Sequence, residues 1–142
     1  MSDETTAAIA VHAEALYPSE CCGVVIAGPR GARAVRIDNV YDQLHARYPD
    51  AYPRTSRTAY EMDALQLDRA FGALGPGERL DAIYHSHCDV GAYFSEEDAR
   101  AALGGGDAPM LACDYLVASV RGGAFELAKR FRWDGAKFAE VA

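Results

Sequence analysis

The sequence has 142 residues, half of them hydrophobic and a quarter charged, which is typical of one folded domain spanning 1–142 and not of a disordered chain. Its 14 basic and 21 acidic side chains give a formal net charge of −7, which argues against nucleic-acid binding because that requires a basic face. No apolar stretch approaches the roughly 20 residues of a membrane helix, so no membrane association is expected. The polar start, Met1 to Thr6, does not resemble an export signal, and four cysteines without a C-x-x-C spacing favour reduced thiols in the cytoplasm.

The first half of the chain predicts two helices and two strands. A helix is expected over Thr5 to Leu16, a buried strand over Cys21 to Ala27 and a return strand over Ala34 to Val40. The polar and aromatic stretch from Tyr41 to Thr58 has no clear period and predicts a long loop, and a second helix is expected over Tyr60 to Leu74. A loop of that length in a compact domain is more often functional than idle.

The second half predicts a strand, a helix and an antiparallel meander. Leu80 to His85 is a short apolar strand, and the helix begins after Ser95, an N-cap serine followed by three acids, and ends near Leu103. The three strands of the meander are Tyr115 to Val120, Ala124 to Arg132 and Lys137 to Val141. The elements predict a mixed α+β (α/β) fold, a central sheet flanked by about three helices.

The segment most informative about function is His85-Ser86-His87, at the end of the predicted strand. Alternate residues of a strand point to the same face, so both imidazoles can bind one ion. No histidine follows His87, so a third ligand has to be an acid or a cysteine, and Asp98 in the first turn of the next helix can face the strand end. Two histidines and one aspartate leave a fourth position for water, which is the pattern of a catalytic zinc. Ser95 and Asp98 also form an S-x-x-D capping box, which explains both residues without a metal.

Other metal-binding patterns are incomplete in this chain. Metallo-β-lactamase-like hydrolases continue as H-x-H-x-D-H, whereas Val90 occupies the last position here. An iron facial triad beginning at His87-Cys88-Asp89 and an amidohydrolase-like site both need a further downstream histidine, which the sequence lacks. A cytidine-deaminase motif beginning at His12-Ala13-Glu14 has no P-C-x-x-C partner. Each of the four patterns therefore lacks a ligand.

Taken together, the polar residues resemble the signature of the JAMM (MPN-plus) zinc metallopeptidases, in particular their short prokaryotic branch. That signature is a glutamate near the first strand followed by H-[ST]-H-x7-S-x2-D. Glu20, which precedes Cys21-Cys22-Gly23, provides the glutamate, and His85-Ser86-His87, Ser95 and Asp98 fill the remaining positions. The resemblance covers the chain from Glu20 to Asp98 and implies an MPN-like fold with a curved, mostly antiparallel sheet.

The resemblance also implies a role for each matched residue. His85, His87 and Asp98 would bind Zn²⁺ together with one water. Glu20 would be the general base that takes a proton from this water and passes it to the leaving amine, and Ser95 would donate a hydrogen bond to the oxyanion. The implied activity is hydrolysis of an amide or isopeptide bond at the C-terminal tail of a ubiquitin-like or sulfur-carrier protein. A non-catalytic MPN-like scaffold that binds a partner, and a hydrolase of small amides, are the alternatives.

Several further side chains have more than one interpretation. Cys88 stands where the family commonly has proline, and its thiol either packs passively, binds the metal as a fourth ligand or acts as a redox brake. The arginines of the predicted loop, at positions 47, 54 and 57, either help to hold the substrate's tail or are solvated.

The remaining histidines and two tyrosines are assigned to the framework of the protein. His12 and His45 are expected at the surface and not as ligands. Tyr84 and Tyr93 flank the predicted site, so each either shapes the pocket or packs in the aromatic core, and the core role is favoured. A homodimer is compatible with the sequence.

Overall fold

The computed structural model describes residues 2–142, which form an open six-stranded sheet with helices on both faces. Met1, the first residue of the acidic start and of the predicted 1–142 domain, lies outside the described residues. The helices are α1 (Asp3–Leu16), α2 (Tyr41–Arg47), α3 (Ala64–Gly72) and α4 (Glu96–Leu103). The strands are β1 (Cys22–Gly28), β2 (Gly31–Ile37), β3 (Arg79–Cys88), β4 (Asp114–Arg121), β5 (Ala124–Trp133) and β6 (Phe138–Val141).

The strand order in the sheet is β2-β1-β3-β4-β5-β6. Strands β3 and β4 are parallel, with His85 level with Val117, and the other neighbouring pairs are antiparallel. This arrangement confirms the predicted mixed α+β fold with a mostly antiparallel sheet. Residues 2–142 contain four helices where about three were expected.

The extra helix lies in the segment predicted to be a loop. The first seven residues of the stretch from Tyr41 to Thr58 form α2, so the prediction of a continuous loop is wrong. No side chain caps the start of α2, and Tyr41 is its one buried residue, so the sequence carries no period that would mark it. The return strand also differs, because the tight turn pairs Gly28 with Gly31 and β2 therefore begins three residues earlier than Ala34.

The two elements next to the candidate site also differ from the predicted boundaries. Helix α3 begins at Ala64 and not at Tyr60, because the Asp63 carboxylate accepts hydrogen bonds from the N–H groups of the first turn. Strand β3 extends beyond His85 to Cys88, so the whole H-x-H segment lies within the sheet.

The two faces of the sheet have separate cores. Helix α1 packs through Ile9 and Ala13 on one face, where Tyr84 is fully buried, as expected of a core aromatic. Helices α3 and α4 cover the other face, on which Ile83 and Tyr115 are buried. None of the helices within residues 2–142 is long and apolar enough to cross a membrane.

His12 is buried and not at the surface as expected. It is only 5% exposed, because it lies on the same face of α1 as Ile9 and Ala13. Its Nδ1 atom lies 2.7 Å from the hydroxyl of Tyr84. Burial, assisted by the charge of Arg36, lowers the pKa of His12 to about 4, so its ring is neutral at neutral pH. His45 is half-buried, and its Nδ1 atom lies 2.7 Å from the carbonyl oxygen of Tyr52.

Candidate metal centre

The structure brings His85, His87 and Asp98 together at the end of β3 and the start of α4. The Nε2 atoms of the two histidines are 3.2 Å apart. The Asp98 carboxylate faces both rings, with Oδ1 3.2 Å from His85 Nε2 and Oδ2 3.2 Å from His87 Nε2. Zinc–nitrogen bonds of about 2.0–2.1 Å in tetrahedral geometry separate two ligand nitrogens by about 3.3 Å. The three buried side chains are therefore spaced as ligands of one ion.

The surroundings of the two imidazoles orient the same nitrogen of each toward Asp98. His87 Nδ1 lies 3.0 Å from the carbonyl oxygen of Gly91, so Nδ1 carries the proton and Nε2 has the free lone pair. The ring of His85 is stacked on Tyr60, with the ring centroids 4.4 Å apart. Among residues 2–142, His85 Nδ1 is buried without a hydrogen-bond partner. The two imidazoles and the carboxylate form a donor set that fits a zinc ion.

The predicted capping box is present, and it orients the Asp98 carboxylate. Ser95 Oγ accepts a hydrogen bond from the Asp98 N–H, and Asp98 Oδ2 accepts one from the Ser95 N–H, each at 3.0 Å. The capping and metal-binding interpretations of these residues are therefore compatible, because one carboxylate performs both tasks. The Ser95 hydroxyl keeps its own proton for donation to another group.

The protonation states of the buried ligands favour a metal. Burial lowers the pKa of His85, although the nearby Asp98 charge opposes this. Burial alone would raise the pKa of Asp98, but the contacts with His85 and His87 and the Ser95 N–H hold that pKa well below its usual range. Metal ions bind neutral imidazole and ionised carboxylate, so both shifts favour the forms that bind.

Glu20 stands beside the three ligands and is not part of their group. The antiparallel pairing of β1 with β3 continues one residue beyond Cys22, because the Ser86 N–H donates a hydrogen bond to the Cys21 carbonyl at 3.1 Å. This pairing places Glu20 at the end of β3 that carries His87. The Glu20 side chain is 5% exposed. Burial and the Asp98 charge raise the pKa of Glu20 to about 9. In the metal-free protein this carboxyl group therefore holds its proton at neutral pH.

Cys88 lies away from the three ligands. Alternation along β3 puts Cys88 on the face of Tyr84, opposite to the face of His85 and His87. Within residues 2–142, the group of clustered ligand atoms contains no cysteine. Burial and the charges of Glu20 and Asp89 raise the pKa of the Cys88 thiol to about 11, so this thiol is protonated at neutral pH. These observations favour passive packing over a role as fourth ligand.

Two tyrosines contact the ligand rings. Tyr93 was expected in the core, but it is 50% exposed and meets the ring of His87 edge-on at 4.8 Å. Tyr60, which stacks on His85, was expected to begin a helix. The sequence marks Tyr93 as a residue that flanks the site, whereas no sequence pattern connects Tyr60 to the H-x-H segment. Tyr60 lies in the segment between α2 and α3 and Tyr93 in the segment between β3 and α4, and the course of these segments places both rings against the ligands.

The fold and the His-His-Asp group together define a JAB/MPN-type domain. A sequence model described as prokaryotic homologs of the JAB domain matches residues 2–134. The chain therefore belongs to this family, which confirms the resemblance seen in the sequence. A search of curated proteins gave no significant match.

Two solved structures share the fold. The solution structure of a protein from Salinibacter ruber matches with a TM-score of 0.61 at 22% identity, over 99% of this chain and 87% of that one. The solution structure of a protein from Desulfitobacterium hafniense matches with a TM-score of 0.64 at 20% identity, over 99% of this chain and 89% of that one. At such identities the similarity concerns the architecture alone.

Proposed function

We propose that the chain is a zinc-dependent hydrolase of an amide or isopeptide bond at the C-terminal tail of a ubiquitin-like or sulfur-carrier protein. The observation that carries the proposal is the buried group of His85, His87 and Asp98, whose ligand atoms face one another with Glu20 at their side. Three protein ligands leave the fourth position of a tetrahedral zinc open, as in catalytic sites. Membership of the JAB family supports the same reaction class.

Each residue of the site has a separate role in the proposed reaction. Bound zinc would supply a Lewis acid and a water whose pKa is lowered to about 7. Glu20 holds the proton released by the attacking water and delivers it to the leaving amine. The Ser95 hydroxyl donates a hydrogen bond to the oxygen that becomes negative, a contribution of about 10²–10³ in rate elsewhere. The hydrogen bond from His87 Nδ1 to Gly91 keeps that ring in the ligating orientation.

The location proposed is the cytoplasm. All four cysteines are free, and Cys21 and Cys22 are fully buried. Reduced thiols are the rule in that compartment.

The experiment that tests the function combines metal analysis with turnover. A sulfur-carrier protein extended by one residue beyond a terminal diglycine is the substrate, and a short peptide with the same tail tests for small-amide hydrolysis. We expect about one zinc per chain, loss of zinc in His87→Ala, and retention of zinc with a 10²- to 10⁴-fold loss of rate in Glu20→Gln.

Each result assigns the protein to one class. Turnover of the carrier well above that of the peptide supports the proposal, and equal turnover supports a small-amide hydrolase. Zinc binding without hydrolysis of either substrate, or with full activity in Glu20→Gln, contradicts it. A chain that binds no zinc contradicts the proposal and favours the partner-binding scaffold.

A further inference from the structure

The geometry points to Arg54 as a specificity-determining residue that binds a free carboxylate on the leaving group. The favoured substrate then carries, after the scissile bond, a single amino acid with an unblocked C-terminus, and not a lysine side chain of a second protein. This inference rests on the proposed function and names the chemistry of the group released.

The backbone around Arg54 is fixed directly to Glu20. The carbonyl of Ser56 accepts a hydrogen bond from the Glu20 N–H at 2.7 Å. Ser56 is buried, and its N–H and hydroxyl donate to the Asp42 carboxylate at 2.7 and 2.6 Å, which ties the segment to α2. The Arg54 N–H contacts the hydroxyl of Tyr41 at 3.4 Å. Arg54 is therefore held in place relative to the base.

The guanidinium of Arg54 retains free donors beside the ligands. Its Nη1 donates to the Thr58 carbonyl at 3.2 Å, and the one ionic contact that it makes within residues 2–142, with Glu97, is long at 3.9 Å. A guanidinium has five N–H donors and pairs with carboxylates through two parallel hydrogen bonds. Arg54 and Tyr60 line a cavity of about 80 Å³ that reaches Asp98. This cavity has room for a small group such as a carboxylate, next to the ligands.

Arg54 lies on the side of the site where the leaving group is expected. In the proposed reaction Glu20 gives its proton to the leaving amine, so this amine lies next to Glu20. The charge of Arg54 acts to lower the pKa of the Glu20 carboxyl group, against the larger effect of burial. In an amino acid one carbon separates the amine from the carboxylate, so the carboxylate also falls in this region. There it meets the negative charges of Asp98 and Glu97, and Arg54 offsets their repulsion.

The test compares two synthetic peptides that end in Gly-Gly-Ala, one with a free C-terminal carboxylate and one with a C-terminal amide. We expect the zinc-loaded protein to cleave the acid with a kcat/KM about tenfold above that of the amide, because a half-exposed charged hydrogen-bonded pair contributes about that factor. Arg54→Ala should abolish the preference by lowering kcat/KM for the acid alone. Arg54→Lys should retain part of the preference, because lysine keeps the positive charge but lacks the paired N–H donors of the guanidinium. Arg57→Ala removes the same charge from an exposed position of the same segment and keeps the preference.

A binding experiment separates this inference from the catalytic proposal. In the Glu20→Gln background, calorimetry gives the Kd of each peptide without turnover, and the acid is expected to bind about tenfold tighter only where Arg54 is present. Equal Kd values for acid and amide, or a preference that persists in Arg54→Ala, overturn the inference while hydrolysis itself still stands. If the intact protein cleaves neither peptide nor the extended carrier, the proposed function fails and the inference fails with it.

Discussion

The buried imidazole of His12 makes the stability of the fold depend on pH. Its pKa is about 4 in the folded chain and about 6.5 in an unfolded one, so between these values the unfolded chain takes up a proton that the folded chain does not. Stability is therefore complete above pH 6.5 and is lost as the pH falls toward 4. Linkage gives about 2 kcal/mol for this loss between pH 7 and pH 4.5. His12→Asn has no titrating ring, and its amide can still bond to the Tyr84 hydroxyl, so we expect it to lack this loss.

Urea denaturation of both proteins at a series of pH values measures the difference. Excess chelator is present throughout, because metal binding by His85 and His87 is itself pH-dependent. The titration of the other histidines is common to both proteins and cancels in the comparison. The wild type should approach the variant in stability, or fall below it, as the pH decreases. Parallel stability curves for the two proteins from pH 7 to pH 4.5 would refute the assignment of a neutral, buried His12.

Three further predictions concern close packing and helix caps. Gly23→Ala should destabilise the fold by about 3 kcal/mol in urea denaturation, because an added Cβ would lie 2.4 Å from the Val35 oxygen and 2.5 Å from the Tyr84 ring. Asp63→Ala should cost about 1 kcal/mol of unfolding free energy, with metal content unchanged, because its carboxylate caps α3. Ser95→Asp should keep the stability of the α4 cap, because its carboxylate accepts the same hydrogen bond, but lose about 10² in rate because an ionised carboxylate has no proton to donate, whereas Ser95→Ala should lose both, as denaturation and steady-state kinetics would show.

The features that the sequence predicts are those determined by neighbouring residues. Alternation along a strand puts His85 and His87 on one face, and the S-x-x-D pattern marks the start of α4 and thus the place of Asp98. Apolar runs ended by Gly and Pro located the other strands and α1. Each of these features depends on a few residues that are close together in the sequence, so a local sequence pattern is enough to predict it.

The features that the sequence did not predict depend on contacts between distant segments. His12 was expected at the surface, although the period of α1 puts it beside Ile9, and its partner Tyr84 is 72 residues away. The place of Arg54 follows from the hydrogen bond between Ser56 and Glu20, which no local pattern contains. Such long-range pairs decide which loop side chains face the ligands.

The hydrogen bond between the Ser95 N–H and Asp98 Oδ2 gives the centre a built-in spectroscopic reporter. That amide proton senses the electron density on a carboxylate oxygen that also faces His87. Any cation drawn to the carboxylate withdraws density from the oxygen and weakens the bond to the amide. The Ser95 amide resonance in a proton–nitrogen correlation spectrum therefore follows the loading of the site directly, in the intact protein and without a substrate.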